Sequence, residues 1–240
     1  MPSRSQLRRS LDPARLRRLL GGPRPAGPGD GDAVRIAAEL AAVGHPVARE
    51  HVPGRDDDAA DTLAELIGRV HAAGLAGSCE LTLPVGRLGP SAARALADTA
   101  AGARLPVVLA GPAEDVDGLV TELPRARVLV PAEEPRAQAR CDAHAAGRVR
   151  LTAGRGAAAD LSFVRCLNVL MAGSGHPSIA AVDPRLIAIT GERAAWNGRT
   201  HDSWEYVMPY GVRTEQQQRL AAAGHTVRVA VLSGRPGARS

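Results

Sequence analysis

One pattern recurs along this chain and constrains its fold more than any single motif. An alanine-rich helical stretch ends at a small turn residue, and a short β-branched run follows. The stops are Gly44, Gly74, Gly102, Pro124, Gly147, Gly175, Gly198 and Gly224, spaced 22 to 30 residues apart. Glycine just past a helix suits the left-handed cap conformation. The runs after these stops predict strands at 47–52, 78–83, 106–110, 127–130, 149–152, 178–182, 203–208 and 226–232. Strands joined by helices of this length pair in parallel. Eight such units predict an α/β fold, a (β/α)8 TIM-type barrel, in a chain close to the roughly 250 residues that fold takes. An open doubly wound sheet is the alternative, but no Gly-x-Gly-x-x-Gly follows the first strand.

Three segments are expected. Residues 1–31 form an arginine-rich N-terminal helix and a Gly/Pro-rich linker, 32–234 the barrel, and 235–240 a frayed tail. An extra helix before strand one is predicted at 32–43, with Asp32 as its N-cap. After strand eight the chain stops within nine residues, so the eighth helix is missing. The N-terminal arginine helix or a partner protein is expected to cover that gap.

Composition narrows the chemistry. All 30 basic residues are arginines, which excludes a Schiff-base lysine, a P-loop lysine and a lysine general base. The five aromatics are Phe163, Trp196, Trp204, Tyr206 and Tyr210, too few for a base-stacking platform. With mixed charge beyond the N-terminus, no nucleic-acid partner is expected. The apolar runs are far too short for a membrane span. Cys79, Cys141 and Cys166 lack Cys-x-x-Cys spacing, which fits a reducing cytoplasm and three small buried hydrophobes. His51 beside Asp56, Asp57 and Asp58 is weighed as a metal cluster, but aspartates before a helix are better read as caps, and no metal is expected.

In a (β/α)8 barrel, chemistry sits at the C-terminal ends of the strands. The polar residues expected there include Glu50, Glu80, Arg150, Asp183, Glu205, Tyr210 and Arg213. Arg150 lies between apolar Val149 and Leu151, so it must pair with an anion, either a carboxylate or a ligand phosphate. Asp183-Pro184 has the form of an N-cap with proline at the first helical position. Tyr210-Gly211 at a strand end offers a ring and a hydroxyl to a ligand. Arg155, between Gly154 and Gly156, is a phosphate candidate.

Several runs together resemble the FAD-dependent proline dehydrogenases. Residues 204–213, Trp-Glu-Tyr-Val-Met-Pro-Tyr-Gly-Val-Arg, are similar to that family's strand-seven signature, continued by 214–224 and 227–231. Residues 163–167, 176–180 and 183–187 are similar to its strand-six region, and 148–151 to strand five. The resemblance runs from about Asp32 to Gly234. It implies a distorted (β/α)8 barrel and oxidation of proline to a pyrroline by bound FAD. It points to Arg150, Gly154 and Asp183 as cofactor-binding residues and to Tyr210 as substrate-binding.

The departures concern chemistry. The family's strand-five pattern R-L-V-K-G-A-Y reads Arg150-Leu151-Thr152-Ala153-Gly154-Arg155-Gly156 here. Its strand-two lysine position holds Glu80, its strand-three acidic pattern is Leu109-Ala110-Gly111-Pro112, and its strand-four and strand-seven glutamines fall at Val130 and Val207. The strand-six T-H-D reads Ala181-Val182-Asp183. The eighth helix, whose paired arginines hold the substrate carboxylate, is missing. Coding bias against lysine alone would leave arginine at both lysine positions, yet Glu80 and Ala153 stand there. The expectation is a proline dehydrogenase-like barrel impaired or inactive on free proline, a pseudoenzyme or partner subunit. The alternative is an active FAD-dependent oxidoreductase acting on proline or a carrier-tethered, proline-like substrate.

Overall fold

Alternating apolar residues and glycine-punctuated helices close into a ring. The computed structural model describes residues 29–52 and 58–234. The chain runs α1 Asp30–Ala42, β1 Val47–Val52, α2 Ala59–Ala72, β2 Cys79–Pro84, a short α3 Val85–Leu88, α4 Pro90–Gly102, β3 Val107–Ala110 and α5 Ala113–Glu122. It continues with β4 Arg127–Pro131, α6 Ala137–Ala143, β5 Val149–Thr152, α7 Ala157–Ala172, β6 Ser178–Ala180, α8 Pro184–Trp196, β7 Glu205–Pro209, α9 Thr214–Ala222 and β8 Val227–Gly234. Each strand pairs in parallel with the next, and β8 closes on β1, so the sheet is a barrel and the expected (β/α)8 fold is present.

The strand pattern sets what lies inside. On β8, Val227, Val229, Val231 and Ser233 are buried while the alternate residues are half-buried. With a period of two, one set faces the helices and the other the barrel interior. The outward set joins the main core with helix residues such as Leu63, Leu66, Ile67 and Val70 of α2. Those four fall at i, i+3, i+4 and i+7, one face of a helix. Asp58 caps α2, accepting from the Ala60 and Asp61 amides at 2.9 and 3.2 Å. The cap reading of the aspartate run therefore holds at Asp58; Asp56 and Asp57 lie outside the described residues.

The outer face of β8, expected to lack a helix of its own, is packed by the helix that precedes β1. Helix α1 packs on β8 and β1, and its Ala33, Ile36 and Ala37 join the core that contains Val47, Val227 and Val231. It starts at Asp30 rather than Asp32, and Gly29 is its N-cap, without a side-chain cap bond. Asp32 instead faces Arg35 at 3.7 Å. The arginine-rich segment expected at the N-terminus and the C-terminal tail lie outside the described residues.

The left-handed stops appear at Gly44, Gly74, Gly198 and Gly224. Gly102, Gly147 and Gly175 do not take that conformation: the last two lack a positive φ, and Gly102 is helical, with Arg104 making the left-handed turn at φ +58. The Leu105 amide then reaches back to the Ala100 carbonyl at 2.8 Å, a six-residue closure that ends the helix without glycine. Strand β6 stops at Ala180, so Ala181 and Val182 belong to the following loop. All three cysteines are free and buried. Among the described residues, no helix is long and apolar enough to cross a membrane.

Candidate functional site

The barrel interior is charged where most such cores are aliphatic. Neighbour pairing puts Glu80, Arg127, Arg150, Ser178, Glu205 and Arg228 on inward-facing positions of β2, β4, β5, β6, β7 and β8. Arg127 Nε lies 3.4 Å from Glu80 Oε2, and its Nη2 donates to Glu205 Oε1 at 3.2 Å. Its Nη1 donates to the His176 carbonyl at 2.8 Å. Arg228 grips Glu205 with two bonds of 2.9 Å and approaches Glu80 at 3.3 Å. Arg150 contacts Glu80 and reaches Glu50 Oε1 at 3.4 Å. The Ser178 hydroxyl donates to Glu205.

Three arginines thus face three glutamates, a neutral set. Arg127, Arg150, Glu80 and Glu205 are at most 2% exposed. Each buried ion costs several kcal/mol in lost hydration, and mutual pairing is what offsets that. Burial lowers Arg127 and Arg150 to about 10, with Glu205 and, for Arg150, Glu50 opposing it; both remain cationic at neutral pH. Burial alone would raise Glu205, but Arg228, its hydrogen bonds and Arg127 hold that carboxyl at about 2.

Toward the C-terminal ends of the strands the interior becomes small and apolar. The inward positions there are Pro84, Ala110, Pro131, Ala180, Pro209 and Leu232, with Glu50, Thr82 and Thr152 as the polar exceptions. The Thr82 hydroxyl is buried without a hydrogen-bond partner.

The four residues singled out by resemblance occupy separate places. Arg150 is inside the barrel, its guanidinium directed across to Glu80 and Glu50. Gly154 follows β5 in a close approach: a Cβ there would lie 2.5 Å from Glu133 Oε2 and 2.8 Å from the Ala159 Cβ. Asp183 is the N-cap of α8, accepting from the Arg185 amide at 2.8 Å and facing its guanidinium at 3.2 Å. Those contacts with Arg185 depress its carboxyl below the ordinary value. Tyr210 is 40% exposed just past β7, its amide bonded to the Ala230 carbonyl. No hydrogen bond or ion pair among the described residues joins any two of these four.

Other expected positions are corrected. Glu80 and Glu205 do not stand on the rim; they lie among the arginines inside. Arg155 gives its amide to Glu133 at 3.4 Å. His51 faces outward, Nδ1 lying 3.2 Å from the Ser233 hydroxyl, which also accepts from Arg49 at 3.2 Å. Among the described residues, no group of three His, Cys, Asp or Glu side chains could hold a metal ion. Arg127 and Arg228, which share Glu80 with Arg150, escaped the sequence reading, although Arg127 opens an apolar strand and Arg228 lies between Val227 and Val229, the same signal that marked Arg150.

No protein-family model matches this sequence, and no curated protein matches it. Solved structures do match in fold. Proline utilization A (PutA) from Bdellovibrio bacteriovorus, inactivated by N-propargylglycine, superposes with a TM-score of 0.76 at 12% identity, over 86% of this chain and 30% of that one. A proline utilization A structure with proline bound in remote sites gives 0.66 at 18% identity, over 87% and 28%. The citrate synthase SbnG gives 0.52 at 9% identity, over 82% and 90%. The chain therefore spans under a third of the proline utilization A proteins. Its fold is similar to their proline dehydrogenase barrel. SbnG, on the same barrel plan, shows that the fold alone does not set the reaction.

Proposed function

We propose that this chain is a proline dehydrogenase-like barrel that does not oxidise free proline. The single observation that carries this reading is Arg150. The arginine most similar to a cofactor-binding residue of that family is held by two carboxylates of the same chain, Glu50 and Glu80. The resemblance implies FAD, and the residues here suit it poorly. Arg150 would have to break its contacts with both Glu80 and Glu50 in order to turn toward a flavin. Asp183 is bound to the start of α8, and Glu133 and Ala159 fill the space beside Gly154. The substrate side lacks a cation at its inward positions, since the C-terminal interior offers proline's carboxylate apolar side chains, the hydroxyls of Thr82 and Thr152 and the acid Glu50. A carboxylate normally needs a bidentate cation for both affinity and orientation.

A second reading, a partner subunit, is favoured by the apolar rim. Val52, Val182 and Tyr210 are 37%, 44% and 40% exposed beside the ends of β1, β6 and β7. Helix α1 already covers β8, so a partner would meet this rim rather than an opening in the outer ring. The test is proline-dependent reduction of an artificial electron acceptor by purified protein supplied with FAD. Turnover no higher than without protein is expected; saturable turnover with proline would overturn the reading.

A further inference from the structure

The opposite end of the barrel carries a different chemistry. A cavity of about 400 Å³ opens between the loops that lead into β4, β5, β6 and β7. Arg148, Ser174, His176 and Arg199 supply its polar lining. The only acid in these four loops is Asp202.

The loops hold one another in place. Gly175 donates to the Ala145 carbonyl and His176 to the Gly147 carbonyl, each at 2.9 Å. A Cβ on Gly175 would lie 2.1 Å from the Gly147 oxygen, so the two loops meet backbone to backbone. Arg199 is fixed by four bonds of 2.6 to 3.0 Å to the carbonyls of Leu170, Met171, Gly173 and Gly175. A guanidinium has five N–H donors, so one stays open while the charge is anchored.

Cations at helix C-terminal ends need no ligand to explain them, since they satisfy the last carbonyls and the helix dipole. That explains Arg199, which closes the end of α7. It does not explain Arg148, whose guanidinium makes no ion pair or hydrogen bond among the described residues, nor the Ser174 hydroxyl, which has no partner among them. Nor does it explain His176. Its Nε2 donates to the Asp202 carbonyl at 3.1 Å, and its Nδ1 is buried with no partner. With Nε2 carrying the hydrogen, Nδ1 becomes a donor only when the ring is protonated.

We propose that this cavity binds a phosphate-bearing small molecule, with Arg148 and Arg199 as the cations, the Ser174 hydroxyl as a further donor and His176 as a neighbour that senses the bound charge. A phosphate offers oxygens to a forked arginine and a hydroxyl together. Its negative charge would favour protonation of His176, whose pKa is now lowered, first by burial and then by Arg127. Arg148 lowers it further, while Glu205 and the Asp202 carbonyl oppose.

The test is a titration of the full chain with inorganic phosphate at constant ionic strength, following the imidazole carbon-bound protons by NMR. His176 should shift saturably and its pKa should rise, while His225, on the same end of the barrel, should not follow. Arg148→Gln should weaken binding at least tenfold with an unchanged melting temperature, because Arg148 is exposed and unpaired, and Arg148→Lys should recover part of it. A non-saturating response, or one equal in Arg148→Gln, would show general screening and overturn the proposal. An equal affinity for acetate would overturn the phosphate class.

Discussion

The two ends of this barrel differ in the opposite sense to what the architecture leads one to expect. At the C-terminal end, where (β/α)8 barrels keep their chemistry, the inward side chains are mostly alanine, proline and leucine. Of the acids in the loops that follow, Asp58 caps α2, Asp183 caps α8, Glu134 pairs with Arg140 and Glu133 lies beside Gly154. Just below them, three arginines and three glutamates pair with one another, with Arg150 Nε left without a partner among the described residues. At the N-terminal end, conventionally the stabilising one, Arg148 is unpaired among the described residues and His176 keeps a buried bare nitrogen. Paired with carboxylates of the same barrel, the interior arginines of this chain hold the fold.

The largest expected effect breaks the interior set. Glu205→Ala strands Arg127 and Arg228 without their shared carboxylate and should cost about 3–5 kcal/mol in denaturant unfolding. If the interior were a hydrated ligand site instead, the loss would be small. The same residue fixes a pH dependence. Its carboxyl is held at about 2 against an ordinary 4.5, so its contribution is present above pH 4.5 and lost as pH falls toward 2. Unfolding midpoints measured across that interval should fall steeply in the native chain and less in Glu205→Gln.

Gly154→Ala comes next. Its Cβ would press on Glu133 and Ala159, and the loss should be about 1–3 kcal/mol by thermal unfolding, with no flavin or substrate present. A neutral result would mean that the close approach is not what requires glycine. Asp58→Ala removes two capping bonds and should cost about 0.5–2 kcal/mol, marking that acid as structural. Smallest of all, Tyr210→Ala should change stability by no more than about 0.5 kcal/mol, since its ring is partly in solvent. A larger loss would place Tyr210 in the fold rather than free at the rim.

The repeat made the barrel legible, because eight helix–stop–strand units leave few other ways to bury every strand. What sequence order could not reveal was which strand the leading helix would cover, so α1 was expected before β1 while the cover of β8 was assigned to the arginine-rich segment or a partner. Depth along the barrel axis was hidden in the same way. Glu80 and Glu205 were identifiable as polar residues in strands, yet only the strand pairing shows that they sit level with Arg127 and Arg150 rather than at the rim. Arg150 was legible as a buried cation in need of an anion, while the identity of that anion depended on strands 70 and 100 residues away. Arg104 replaced glycine at a left-handed turn because a backbone closure held it there, which composition does not signal.

The most direct measurement is the visible spectrum of the purified protein, recorded as isolated and again after soaking in FAD and removing the excess. A barrel whose interior cations are internally paired should be colourless both times. A flavin band near one equivalent in either spectrum would contradict it, and would require Arg150 to leave Glu50 and Glu80 for the cofactor.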